Sequence, residues 1–126
     1  MSMHGMFHWN ELLTGDVAKC KAFFGDVAGW SFEEMPMPQG VYTLAKSGDN
    51  VVGGIMDKNN TGMPEMPSHW AAYISVDDVD AAVGKVEGAG GKVLQPCFDV
   101  EGVGRIAIIA DPSGAAVGIM TPAEMG

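Results

Sequence analysis

A chain of 126 residues, 47% of them hydrophobic, is long enough for one folded domain with a real core. A formal charge of −9 and a pI near 4.5 argue against nucleic acid as a partner, because phosphate binding needs clustered Lys and Arg. No apolar run approaches the roughly 20 residues that span a bilayer, and no basic-then-apolar leader opens the chain. No membrane partner and a cytoplasmic location are therefore expected.

Phe7 to Leu13 reads as a strand, with Phe7, Trp9, Glu11 and Leu13 on one face. Asp16 is the predicted N-cap of a helix over 17–27, with an apolar stripe of Val17, Cys20, Phe23, Phe24 and Val27. Gly29 is its predicted terminator. Strands follow over 30–35, ended by Pro36 and Pro38, then over 41–46 and 51–56. Asp57 to Ser68, with Gly62, Pro64 and Pro67, suits a crossing segment. A second series then begins. It has a strand over 70–76 and a helix capped by Asp77 or Asp78, running to about Ala89. The stripe of that helix is Val79, Ala82, Val83 and Val86, and strands over 93–98, 103–110 and 115–120 complete the series. Cys20 and Cys97 are expected to be free thiols.

The two series are copies of one unit. Gly54-Ile55-Met56 returns as Gly118-Ile119-Met120, and Asp16-Val17 returns 62 positions on as Asp78-Val79. The expectation is an α+β domain over 1–126 built from two βαβββ modules, about 5–57 and 69–122, with a linker over 58–68. Each helix covers one face of its strands. Two modules can pair their open faces into a curved mixed sheet around a cup.

With these elements in place, the sequence resembles the vicinal oxygen chelate superfamily, which includes glyoxalase I, extradiol dioxygenases and the bleomycin and fosfomycin resistance proteins. The resemblance rests on the repeated order, on Gly15-Asp16-Val17, on Phe23-Phe24 before Gly29-Trp30, and on Asp111-Pro112-Ser113-Gly114 before the last strand. It is similar above all to a glyoxalase-like branch with Trp9, Glu11 and Leu12 in the first strand and Pro67 to Trp70 entering the second module. Val76 to Ala82 and Gly102 to Arg105 complete that pattern.

In metal-dependent members, four side chains hold a divalent ion that polarises substrate oxygens. The resemblance carries those positions onto Trp9, Gly54, Ala71 and Gly118, none of which can ligate. No metal and no other cofactor is therefore expected. The residues expected to line the cup and bind ligand are Trp9, Glu11, Met56, Tyr73, Arg105 and Met120, with Gly54 and Gly118 leaving room for a flat molecule. Arg105 is expected either to meet ligand or to pair with Glu11. The resemblance implies a homodimer that binds a small apolar or aromatic molecule, and the acidic surface would suit a cation. The alternative is a glyoxalase-like lyase or isomerase, or a dioxygenase-related enzyme. It would use Glu11 as catalytic base, or a divalent metal on an unorthodox set including His8 and Glu11.

Overall fold

A computed structural model describes residues 3–38, 40–60, 65–100 and 103–123, with residue 60 described by its backbone. Gly62, Pro64 and Gly102, singled out in the sequence, lie outside the described residues. The elements are β1 Phe7–Thr14, α1 Val17–Val27, β2 Ser31–Met37, β3 Gly40–Ser47, β4 Asn50–Asp57 and a 3-10 turn Lys58–Asn60. They continue with β5 His69–Ser75, α2 Val79–Val86, β6 Lys92–Val100, β7 Gly104–Ala110 and β8 Ala116–Pro122. Two compact units emerge, one of Trp9–Ala71 and one of Met1–His8 with Ala72–Gly126. The N-terminal residues join the second unit because Gly5 N–H donates to Ser75 O at 2.6 Å and Ser75 N–H to Met6 O at 2.8 Å.

The first unit has the strand order β2-β3-β4-β1. β1 runs parallel to β4, with Glu11 opposite Gly54 and Leu13 opposite Met56. β3 is antiparallel to β4 and β2 is antiparallel to β3. Alternation then sets Leu12, Thr43, Ala45 and Ile55 on one face, where all four are buried. Helix α1 covers this face, for a Cβ at Gly25 would lie 3.8 Å from the ring of Phe32. Asp16 caps the helix as expected, accepting from Lys19 N–H at 3.0 Å. Gly29 follows its end at φ +68, a conformation that favours glycine.

Two expectations need correction in this unit. The stripe of α1 is not a buried one, since Phe23 is 57% and Val27 66% exposed. Phe24 is the residue that anchors the helix, stacking on Trp30 at 5.2 Å and meeting Trp70 edge-on at 5.5 Å. Strand β2 also runs through Pro36 to Met37 rather than stopping before it. β2 stands at the end of the strand order, so the N–H that proline lacks has no ladder bond to make on its outer side.

The second unit repeats the plan with the order β5-β8-β7-β6. β5 runs parallel to β8, with Tyr73 opposite Gly118 and Ser75 opposite Met120. Val76, Val79, Ala107 and Ile119 form its core, flanked by Ile74, Ala82, Val83, Cys97 and Ile109. Each large apolar side chain buried there contributes about 1.5–3 kcal/mol. Asp78, not Asp77, is the cap of α2, accepting from Ala81 N–H at 3.1 Å. The helix stops at Val86, short of Ala89. Gly88 is a poor helix former, and Gly91 N–H turns back to Val86 O at 2.9 Å. Residues of the other parity, Tyr73, Ser75, Ile106, Ile108, Gly118 and Met120, lie on the face that α2 does not cover.

Candidate functional site

In the first unit, the helix-free face carries Trp9 and Glu11 from β1, Tyr42 from β3 and Met56 from β4. Trp9 Nε1–H donates to the Tyr42 oxygen at 2.9 Å, and the Tyr42 hydroxyl donates to Glu11 Oε2 at 2.8 Å. Trp9, Tyr42 and Glu11 are half-buried, while Met56 is buried. The sheet register explains the meeting. β1 and β3 flank β4, and Gly54 between them has no side chain, so the phenol of Tyr42 lies across the glycine toward Glu11. A Cβ at residue 54 would run into the Tyr42 oxygen and ring.

Tyr42 links the two expected residues and was absent from the expected set. Its signal was legible: alternation along residues 41–46 puts Tyr42 and Leu44 on one face, beside a glycine strand.

The second unit holds Tyr73 and Met120 on its own helix-free face, both buried at 7% and 2% exposure. The Tyr73 ring covers Gly118 as Tyr42 covers Gly54, and a Cβ at residue 118 would meet it. Glu11 and Tyr73 are thus equivalent positions, each opposite the glycine of the repeated Gly-Ile-Met. The room expected at Gly54 and Gly118 is filled by the protein's own tyrosines.

Arg105 is not part of either group. Its parity is that of Ala107 and Ile109, which puts it on the face with α2. Its Nε and Nη2 donate to both oxygens of Asp80 at 2.9 and 3.0 Å, and its Nη1 to Asp99 at 3.1 Å. The inward-facing Arg105 read from the sequence, with Glu11 as partner, is therefore replaced by a bidentate pair at the helix. Hydrogen bonds from Arg105 hold the Asp80 carboxyl below the ordinary carboxylate range. Asp80 and Asp99 in turn raise Arg105. Burial, then the Asp80 carboxylate, push the Cys97 thiol up.

The residues do not fit a divalent ion of the family's kind. Trp9, Gly54, Ala71 and Gly118 offer no ligand atoms at the corresponding positions. Among the described residues, no three His, Cys, Asp or Glu side chains come together within metal-binding reach. Alternation along β1 sets His8 and Glu11 on opposite faces of that strand.

Known proteins agree with this architecture. Methylmalonyl-CoA epimerase from Mycobacterium tuberculosis superposes with a TM-score of 0.61 at 14% identity, covering 98% of this chain and 93% of its own. The protein BH1468 of Bacillus halodurans gives 0.70 at 9% identity, covering 97% of each chain. At these identities they show the fold alone. CFP32 of Mycobacterium tuberculosis, a candidate glyoxylase by name, is 42% identical in a match of 118 positions, gaps included, that covers 91% of this chain and 45% of CFP32. DnrV of Streptomyces peucetius, an anthracycline biosynthesis protein, is 33% identical in a match of 135 positions, gaps included, that covers 93% of this chain and 49% of DnrV. The chain thus spans about half the length of the curated relatives it matches. The profile of the glyoxalase/bleomycin resistance protein/dioxygenase superfamily matches residues 6–119, nearly the whole chain. With the two βαβββ units, this match establishes that the chain belongs to that superfamily.

Proposed function

We propose that the chain binds a small apolar or aromatic molecule, without a divalent metal, on the helix-free face that carries Trp9, Tyr42, Glu11 and Met56. The hydrogen-bonded series from Trp9 through Tyr42 to Glu11 carries this reading. It fixes the rotamers of an indole and a phenol side by side, so a flat ligand meets rings that are already ordered. Met56 beside them supplies an adaptable apolar surface. Binding sites are commonly built this way, from apolar walls with a few placed polar groups. One relative is named for the biosynthesis of anthracyclines, which are aromatic, and this is consistent with the reading.

The same reading takes the protein as a homodimer. The curated relatives are about twice as long, so two copies would supply a comparable amount of chain. Light scattering checks this directly.

The test of binding is calorimetry with neutral bicyclic aromatics on the wild type and on Trp9→Ala. Micromolar to low-millimolar binding that Trp9→Ala removes is the expected result. Binding that survives Trp9→Ala, or no binding at all, would sink the proposal. Turnover of a carbonyl substrate that Glu11→Gln abolishes would replace it with an enzymatic role.

A further inference from the structure

We propose that Met3 and Met6 form a thioether chelate for a soft monovalent ion, Cu(I) or its redox-inert mimic Ag(I). The site uses none of the residues of the ligand-binding face and does not depend on that reading. It starts from a turn. Met6 N–H donates to Met3 O at 3.1 Å, with His4 and Gly5 between them and Gly5 at φ +83. That is the positive φ a type II turn needs at its third position, and such a turn brings its first and last Cα atoms within about 7 Å. Methionines at the two ends of one turn can therefore close on one ion, because each side chain is long, unbranched and flexible.

Further bonds hold this turn in place. Gly5 N–H donates to Ser75 O at 2.6 Å, Ser75 N–H to Met6 O at 2.8 Å, and Asp77 N–H to His4 Nδ1 at 2.9 Å. A backbone ordered ahead of binding lowers the entropic cost of bringing two ligand atoms to one ion. The side chains themselves are left largely in solvent. Met3 is 47% and Met6 57% exposed, although apolar side chains on an ordered segment would gain by burial.

The sulfur atoms decide which metal. A thioether is a soft donor, so it selects Cu(I) over Mg, Ca and Mn, which prefer carboxylate, carbonyl and water. Thioethers are also uncharged, and the balancing charge must come from elsewhere. The Asp77 carboxylate supplies it beside the turn, with its Oδ2 3.7 Å from His4 Nδ1. The formal charge of −9 on the whole chain acts in the same sense.

The experiment titrates Ag(I), in chloride-free nitrate buffer, into the full chain carrying carbon-13 in its methionine methyl groups. NMR then follows each methionine separately, which matters because the thiols of Cys20 and Cys97 also take Ag(I). In the wild type, the Met3 and Met6 signals are expected to shift together and to saturate at one shared ion. They should do so ahead of Met35, an exposed thioether on β2, while the buried Met56 and Met120 stay still. This readout does not depend on any variant folding. Met3→Leu should weaken the response of Met6 at least about tenfold, and Met6→Leu that of Met3, since a single thioether loses the advantage of the chelate. Separate titration of Met3 and Met6, a response of one that survives loss of the other, or movement no earlier than Met35 would overturn the proposal. So would Ag(I) taken up by the thiols alone, with Met3 and Met6 unmoved.

Discussion

Tyr42 lies across Gly54, in the space that a side chain at residue 54 would need. Its hydroxyl group is held from both sides, by Trp9 as donor and Glu11 as acceptor, so the ring cannot step aside without breaking a hydrogen bond. Gly54→Ala is therefore expected to cost about 1–3 kcal/mol, as over-packing of a filled site does. Truncating Tyr42 as well removes the obstacle. In a urea-denaturation cycle, Gly54→Ala should cost clearly less in a Tyr42→Ala background. Additive costs would mean that the ring does not hold that place.

Tyr42→Phe keeps the ring and takes away only the hydroxyl. Trp9 loses its acceptor and Glu11 loses a donor, which is expected to destabilise the protein by about 1–3 kcal/mol. Trp9→Phe should cost less in hydrogen bonding, since Tyr42 still donates to Glu11. Equal stability of Tyr42→Phe and wild type in denaturant titrations would show that the series is not formed in solution.

Most of the architecture was legible in the sequence, and the misplaced site residues share one physical origin. Caps and terminators act locally, so Asp16 and Gly29 could be placed from their neighbours alone, and the second cap narrowed to Asp77 or Asp78. The repeat of Gly-Ile-Met gave the second unit its outline. Arg105 could not be placed this way, and for Tyr42 alternation gave the face but not its place across Gly54. Which face a strand residue takes depends on its register with the next strand, and register is not a local property. Arg105 in an apolar strand invites a reading as a buried ligand contact, yet it shares parity with Ala107 and faces α2. The glycines invited the converse error, because an absent side chain reads as space until the neighbouring tyrosine is located.

The donor set predicts indifference to divalent metal. Protein purified without a chelator or an affinity tag is expected to hold less than about a tenth of an equivalent of Zn, Ni, Mn or Fe, too little to stabilise it by mass action. Its melting temperature should be the same with EDTA and with added Mn or Zn. A full equivalent on elemental analysis, or a melting temperature that rises with one metal, would overturn the metal-free reading.

The Asp80–Arg105 pair makes a pH prediction whose sign follows from the direction of its shift. Arg105 lowers the Asp80 carboxyl below its ordinary value of 3.8 in the folded state, so the unfolded chain takes up the proton first. The stabilisation is fully present above 3.8 and is lost as pH falls through the lower, folded value. Asp111, lowered by Ser113 and by backbone N–H groups of its turn, acts in the same sense. Asp80→Asn is thus expected to be less stable than wild type at neutral pH. The difference should shrink as denaturation is measured from about pH 5 down to about pH 2. A difference that stays constant through that range would show that the pair contributes no linked protonation.

The same pair also acts on Cys97, beside burial. Burial disfavours the thiolate, and the Asp80 carboxylate beside it adds a hydrogen bond to the thiol and a like charge against its ionised form, which Arg105 only partly offsets. The thiolate is the reactive species, so alkylation of Cys97 by iodoacetamide at neutral pH is expected to run slower than that of a model thiol. Asp80→Asn removes the like charge and should speed the reaction at a given pH. Arg105→Gln removes the opposing cation and should slow it. Peptide-level mass spectrometry separates Cys97 from Cys20 in one time course. If Asp80→Asn leaves the Cys97 rate unchanged while Arg105→Gln alters it, the thiol is coupled to the guanidinium and not to the carboxylate. The opposite result would make the carboxylate the stronger of the two charged neighbours, acting on a thiol that burial already disfavours as thiolate.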